Sequence, residues 1–197
     1  MAGAFNTAIY IVIVPIVSVL LGNKVKRRSV LCALLALFGF AVMSLSGDIT
    51  KTTTGDWLTL LSTLMFSGQI LSINHFVDED NSIIISVLQM GFGGMMGMVY
   101  SLIVEHPQLS QYAGALPVII YAVLVPTCIG YTLQIVGQRY TEPSTASLIM
   151  SLEAVFATVF GAIFLREWPS TRELIGCAII LVATILGQRG SEEKTYD

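Results

Sequence analysis

Three observations make this sequence an all-α, polytopic membrane helix bundle. First, 54% of its 197 residues are hydrophobic and only 12% are charged, with a mean hydropathy of +0.77. Soluble domains run nearer about a quarter charged. Second, the apolar residues come in long runs, not in short alternating stretches. A bilayer core about 30 Å thick needs roughly 20 apolar residues in a helix that rises about 1.5 Å per residue. Third, short polar breaks such as SGDITKTTTGD, VDEDNS and EHPQLSQYAG separate the runs. Helices that satisfy their own backbone groups are what such runs form in lipid.

Seven transmembrane helices are expected. The first, α1 (about Ala2 to Leu21), has no basic region before it and no convincing cleavage site after it. It therefore reads as a span, not as a cleavable signal. The basic loop Lys24 to Arg28 leads into α2 (about Val30 to Leu45). SGDITKTTTGD ends α2 and precedes α3 (about Asp56 to Phe76). VDEDNS precedes α4 (about Ser82 to Val104), and EHPQLSQYAG precedes α5 (about Leu116 to Gln138). Pro143 suits the first turn of α6 (about Pro143 to Leu165), where its missing N–H costs nothing. The last span is α7 (about Arg172 to Gln188).

Orientation follows from Lys and Arg in the short loops. One side carries Lys24, Lys26, Arg27, Arg28, Arg139, Arg189 and Lys194, which makes seven. The other carries Lys51, Arg166 and Arg172, which makes three. The side with seven is expected to be cytoplasmic, with the C-terminus inside and the N-terminus outside. The net charge of -3 adds little. The one basic cluster, Lys24 to Arg28, has no interleaved aromatics, so no nucleic-acid partner is expected. Cys32, Cys128 and Cys177 lie inside apolar runs without a CxxC pairing and read as small buried residues.

An internal echo suggests repeats. CALLALFGF from Cys32 in α2 resembles CAIILVATI from Cys177 in α7. Thr7-Ala8 near the start of α1 resembles Thr145-Ala146 near the start of α6. One repeat would end at α2 and a second would fill α3 to α7.

The run QRYTEPSTASLIMSLEAVFATVFGAIFLREWPSTRELIGCAIILVATILGQ, from Gln138 to Gln188, resembles the last two helices of EamA-type transporters of the drug/metabolite transporter superfamily. TAIYIVIVPIVSVLLGNKVKRRSVLCALLALFGFAVMSL resembles their fourth and fifth helices. The resemblance implies a ten-helix inverted-repeat fold with both ends cytoplasmic. It also implies a central cavity between the repeats that passes amino acids, metabolites, sugar phosphates or drugs. On that basis residues 1–47 are expected to be the last two helices of a first repeat, and residues 55–189 a complete second repeat. Residues 190–197 would be a cytoplasmic tail. Three helices would be absent, and the chain by itself is expected not to transport.

Glu153 stands out among candidate site residues. A charge near the bilayer centre costs about 2.5 to 3.5 kcal/mol on insertion scales, and Glu153 lies about 15 Å into α6 by helical rise. It should face the bundle or a wet cavity, either as a substrate or proton contact or as a structural carboxyl. Ala157 and Gly161 follow it on the same face, and small residues there allow close helix packing. In α5, Thr127, Tyr131, Gln134 and Gln138 fall on one face. Pro126 should leave the Ala122 carbonyl unpaired and kink the helix. Gln69 in α3 and Gln89 in α4 each lie about 10 Å from the cytoplasmic end. Each suits an interhelical hydrogen bond as well as a substrate contact. The candidate pathway is therefore Glu153, Thr127, Tyr131, Gln134, Gln69 and Gln89.

Gly93 and Gly97, at GxxxG spacing, read as helix packing. His75 beside Asn74, before Asp78, Glu79 and Asp80, reads as an interfacial histidine by a solvated acidic loop, because one histidine without a second ligand pair is a weak metal signal. The acids of Arg166-Glu167 and Arg172-Glu173 should cap and anchor helix ends. No Ser/His/Asp set, phosphate loop or metal cluster is present in the sequence, so neither an enzyme nor a bound cofactor or metal is expected. Two readings follow. One is a solute transporter in the plasma membrane that moves a small metabolite, amino acid or drug by alternating access, with a small-molecule solute and the lipid bilayer as partners. The other is a non-transporting fragment or assembly subunit, completed by a second copy or by the missing N-terminal helices.

Overall fold

The computed structural model describes residues 8–22, 25–44, 54–77, 81–104 and 114–192. Seven helices run through them: α1 Tyr10–Leu20, α2 Arg27–Ser44, α3 Thr54–Phe76, α4 Ser82–Val104, α5 Leu116–Gln138, α6 Pro143–Leu165 and α7 Thr171–Glu192. No strand occurs among the described residues. Helix order and number agree with the sequence, and the ends shift by a few residues. The part of α1 expected over residues 2–7 lies outside the described residues, as do Lys24, Lys51, Asp78, Glu79, Asp80, His106 and Lys194.

Four helices are long and apolar enough to cross a bilayer: Ser82–Val104, Leu116–Gln138, Pro143–Leu165 and Thr171–Gln188. The described part of α1 is apolar but has only 11 residues. α2 opens on Arg27 and Arg28, and α3 carries Thr59, Thr63, Ser67, Gln69, Asn74 and His75, which dilute its hydropathy. α3 hides much of that polarity in its own backbone. Thr59 donates to Gly55 O at 2.8 Å, Thr63 to Thr59 O at 2.9 Å and Ser67 to Thr63 O at 2.8 Å. Hydroxyls bonded four residues back need no partner from lipid.

Helix ends follow local chemistry. Pro143 occupies the first turn of α6, after an extended Glu142. Ser170 and Glu173 cap α7 reciprocally. The Ser170 N–H donates to Glu173 Oε2 at 2.6 Å, and the Glu173 N–H donates to Ser170 Oγ at 3.3 Å. α6 widens into a π-helical turn over Gly161–Leu165, and Arg166 stops it in the left-handed region at φ 57°.

The described residues divide into two compact units, Met1–Ser72 with Glu142–Asp197, and Ile73–Thr141. In the first, the hairpins α1–α2 and α6–α7 share one core that includes Ile11, Val14, Ala36, Leu148, Ile180 and Ala183. α2 and α7 run antiparallel. Gly39, late in α2, meets Gly176, early in α7, while Cys32, early in α2, lies beside Gly187, late in α7. The contact is tight because glycines make it. A Cβ on Gly176 would fall 2.7 Å from Gly39 O, and one on Gly39 would fall 3.0 Å from Gly176 O. Four residues of the sequence echo, Cys32, Cys177, Ala8 and Ala146, are all buried, and Ala8 and Cys32 belong to this core. Thr184 ties α7 to α6 by donating to Leu148 O at 3.2 Å.

The second unit holds α4, α5 and the last turn of α3. Its core is small: Ile73, Val77 and Ile135, with Ile85 packed against them. α5 is α-helical over Leu116–Ala122, π-helical over Val123–Gly130 and α-helical again over Tyr131–Gln138. The wide turn is where Pro126 sits, a residue whose ring clashes with an ordinary α-helical turn. Cys128 is half-buried, unlike the other two cysteines.

Candidate functional site

The six candidate pathway residues divide between the two units. The first unit carries Gln69 and Glu153, and the second carries Gln89, Thr127, Tyr131 and Gln134.

In the first unit, Ser151 shapes the stretch before Glu153. Its hydroxyl donates to Leu148 O at 2.5 Å, and the Ala154 N–H bonds back to Ser151 O at 3.3 Å, a three-residue span tighter than the α-helical one. The helix resumes at Leu152, so Glu153 lies in the first turn of the following segment. The Glu153 side chain is exposed, not enclosed by the described residues. Ala157 is exposed too, and a Cβ on Gly161 would meet nothing within 4 Å. The same holds for Gly93 and Gly97 in α4. Packing at these positions would need a neighbour other than the described residues. The close glycine contacts are those of Gly39, Gly176 and Gly187.

A residue that sequence reasoning passed over stands near Glu153. The buried ring of Tyr10, in α1, packs edge-on against Phe66 of α3 with centroids 5.3 Å apart. Its phenol lies within electrostatic range of the Glu153 carboxylate. Gln69 is half-buried and follows Phe66 by three residues, which puts both on one side of α3. Tyr10 thus joins the two candidate residues of this unit into one neighbourhood. The signal in the sequence was a lone aromatic hydroxyl inside an apolar run.

In the second unit, Thr127 is engaged with its own helix. Its hydroxyl donates to Ala122 O at 2.8 Å. The carbonyl expected to be left unpaired by Pro126 is therefore satisfied, and a π-helical segment stands in place of a simple kink. Tyr131 and Gln134 are half-buried one and two turns further on. Gln134 Nε2 is buried and has no hydrogen-bond partner among the described residues. Such a nitrogen has donors left for a ligand, for water or for a further helix. Gln89 is half-buried on α4, three residues after Ser86. Ser86 and Thr132 share a hydrogen bond of 2.7 Å, which registers α4 against the last segment of α5.

Asn74 was set aside in the sequence as part of an interfacial turn. Its side chain reaches across the second unit, donating to Thr141 O at 2.8 Å and to Gln138 O at 3.2 Å. His75 is exposed and packs edge-on against Phe76 at 4.8 Å. No group of three or more His, Cys, Asp or Glu able to hold a metal occurs among the described residues.

Comparison with known proteins places this geometry. The EamA-like transporter family matches residues 53–187. An uncharacterized transporter from Archaeoglobus fulgidus is 30% identical over 183 residues, which is 92% of this chain and 58% of that protein. The chain thus spans just over half the length of this relative. No solved structure matches. The family match runs from the start of α3 to the end of α7 and covers every candidate pathway residue; the chain belongs to the EamA-like transporter family and is a multi-pass membrane protein.

Proposed function

We propose that the chain is part of a solute transporter that moves a small metabolite, amino acid or drug by alternating access, driven by a solute or proton gradient. Glu153 is its substrate or proton contact. The observation that carries this reading is an acidic side chain in the apolar helix α6, exposed and unenclosed by the described residues of its own unit. Intramembrane acids are costly, and they face cavities or partners that repay the cost. Gln69, Gln89, Tyr131 and Gln134 line the same pathway, and Thr127 adds the lone pairs its hydroxyl retains. All seven helices span the plasma membrane, with the C-terminus in the cytoplasm. They belong to a ten-helix inverted-repeat arrangement in which residues 1–47 end one repeat and residues 55–189 form the other. The antiparallel α2–α7 contact is what an inverted pair of hairpins requires. A second copy or further helices complete the pathway.

The test is uptake in cells that express the chain alone and together with three further helices of the kind that would complete the pathway, over a panel of amino acids, metabolites and drugs, with Glu153→Gln as the control. Saturable uptake lost in the variant, at equal membrane abundance, supports the reading. Uptake identical in wild type and variant removes Glu153 from the pathway. No movement of any solute by the completed assembly under any gradient counts against transport.

A further inference from the structure

We propose that Asn74 is a latch, the side chain that holds one end of the pathway shut in this conformation and lets go when that end opens. The proposal rests on the transporter reading above. A single amide nitrogen makes both bonds, to Gln138 O and Thr141 O, 64 and 67 residues away in sequence. Those carbonyls belong to the last residue of α5 and to the link into α6. The final carbonyls of a helix have no partner within it. Gln138 O accepts from the Thr141 N–H at 3.2 Å and from Asn74 of a different helix, so the end of α5 is also held against the end of α3.

Three features distinguish a latch from a permanent fastening. First, the core beneath it is slight. Among the described residues the second unit's apolar cluster is Ile73, Val77 and Ile135 with Ile85, beside the Ser86–Thr132 hydrogen bond, while the first unit has a cluster of twelve buried residues. Second, α5 has a place to yield. The π-helical segment Val123–Gly130 precedes the held segment Tyr131–Gln138, and neither Leu116–Ala122 nor Val123–Gly130 contains a buried residue. Wide turns of this kind are recurrent sites of bending. Third, Asn74 is only half-buried. Water can take over its bonds when the ends part, which keeps the closed and open forms close in free energy.

The test uses a cysteine introduced at Val77, which is 8% exposed in the small core. Cys32 and Cys128 are replaced, and the buried Cys177 of the first unit is kept as an internal control. A membrane-impermeant maleimide is added to intact cells and to inverted vesicles, and modification at each site is followed by peptide mass spectrometry. Asn74→Leu keeps the size and removes the donor. It should speed labelling at position 77 about tenfold, the scale expected from two lost hydrogen bonds, and from one side of the membrane only. Cys177 should be unaffected. Unchanged labelling at position 77 in a folded variant overturns the proposal. Equal acceleration at both sites overturns it too, because that is general loosening. If Asn74→Leu does not fold, Asn74→Gln retains the amide at a displaced position. It should give a smaller acceleration at position 77 alone, and none would overturn the latch. The two readings fail distinguishably: solute uptake with unchanged labelling sinks only the latch, while faster labelling in a completed assembly that moves no solute sinks the transporter reading and leaves Asn74 a fastening of α5 to α3 with no pathway to close.

Discussion

The Thr127 hydroxyl donates to the Ala122 carbonyl at 2.8 Å, five residues back along α5. Pro126 supplies no N–H to the turn it occupies, and in a membrane a stranded carbonyl has no water to turn to. Thr127 repairs the gap, so its proton is not free to meet a solute. Thr127→Val keeps the shape and removes the donor. It should lower stability in detergent by about 0.6 kcal/mol and by no more than about 1.7, the average and the maximum for hydrogen bonds between membrane helices. Thr127→Ser should preserve wild-type stability. Thermal unfolding of the purified proteins checks this, and a Val variant as stable as wild type would mean the bond contributes nothing.

Glycines in α2 and α7 should behave differently from those in α4. A Cβ on Gly176 has nowhere to go beside Met43 Cγ and Gly39 O, the latter at 2.7 Å. Gly176→Ala should therefore destabilise by about 1 to 3 kcal/mol, the usual cost of overpacking. Gly93→Ala and Gly97→Ala meet nothing within 4 Å. They should be neutral or should stabilise α4 by up to about 1 kcal/mol through helix propensity. Unfolding midpoints for the three variants decide it. A destabilised Gly97→Ala would reveal a packing partner for α4 beyond the described residues.

These two cases show what was legible in the sequence. Seven helices and their order follow from run length and polar breaks, because the bilayer sets a length scale that composition records directly. The echo between α2 and α7 falls on two helices that pack on each other through Gly39 and Gly176, and Cys32 and Cys177 are both buried. Which glycines pack was not legible. GxxxG spacing marks a possible contact but not a neighbour, and the contact of Gly39 with Gly176 joins residues far apart in sequence. Tyr10 and Asn74 were hidden for the same reason. Each gains its role from a residue more than 60 positions away, which no local pattern encodes. Thr127 was visible as polar, but its bond to Ala122 depends on the π-helical turn and not on face periodicity.

Topology is tested by thiol labelling. Lys26 precedes α2, which opens on Arg27 and Arg28, and the charge asymmetry of seven to three leads us to expect them on the cytoplasmic side. A single cysteine at position 26, with the three native cysteines replaced, should resist an impermeant thiol reagent in intact cells and react once the membrane is permeabilised. Ready labelling from outside would invert the assignment.

Glu153 should matter for transport and little for folding. Its side chain is exposed on α6, so the described residues offer no buried partner that its loss would strand. Glu153→Gln changes charge at nearly constant volume, and membrane insertion should, if anything, improve. Uptake should fall to background while abundance and unfolding temperature stay within error of wild type. Tyr10→Phe tests the neighbourhood. The ring that packs on Phe66 is kept, and only the hydroxyl facing the Glu153 charge is removed. A hydroxyl that acts on the carboxylate only through its electrostatics predicts a partial loss of uptake, smaller than that of Glu153→Gln. With Glu153→Gln already present, Tyr10→Phe should add nothing, because two residues that act on one step are not additive. Full additivity of the two changes would separate Tyr10 from the carboxylate. Wild-type uptake by a correctly inserted Glu153→Gln protein would leave the acid a structural group on a lipid-facing helix.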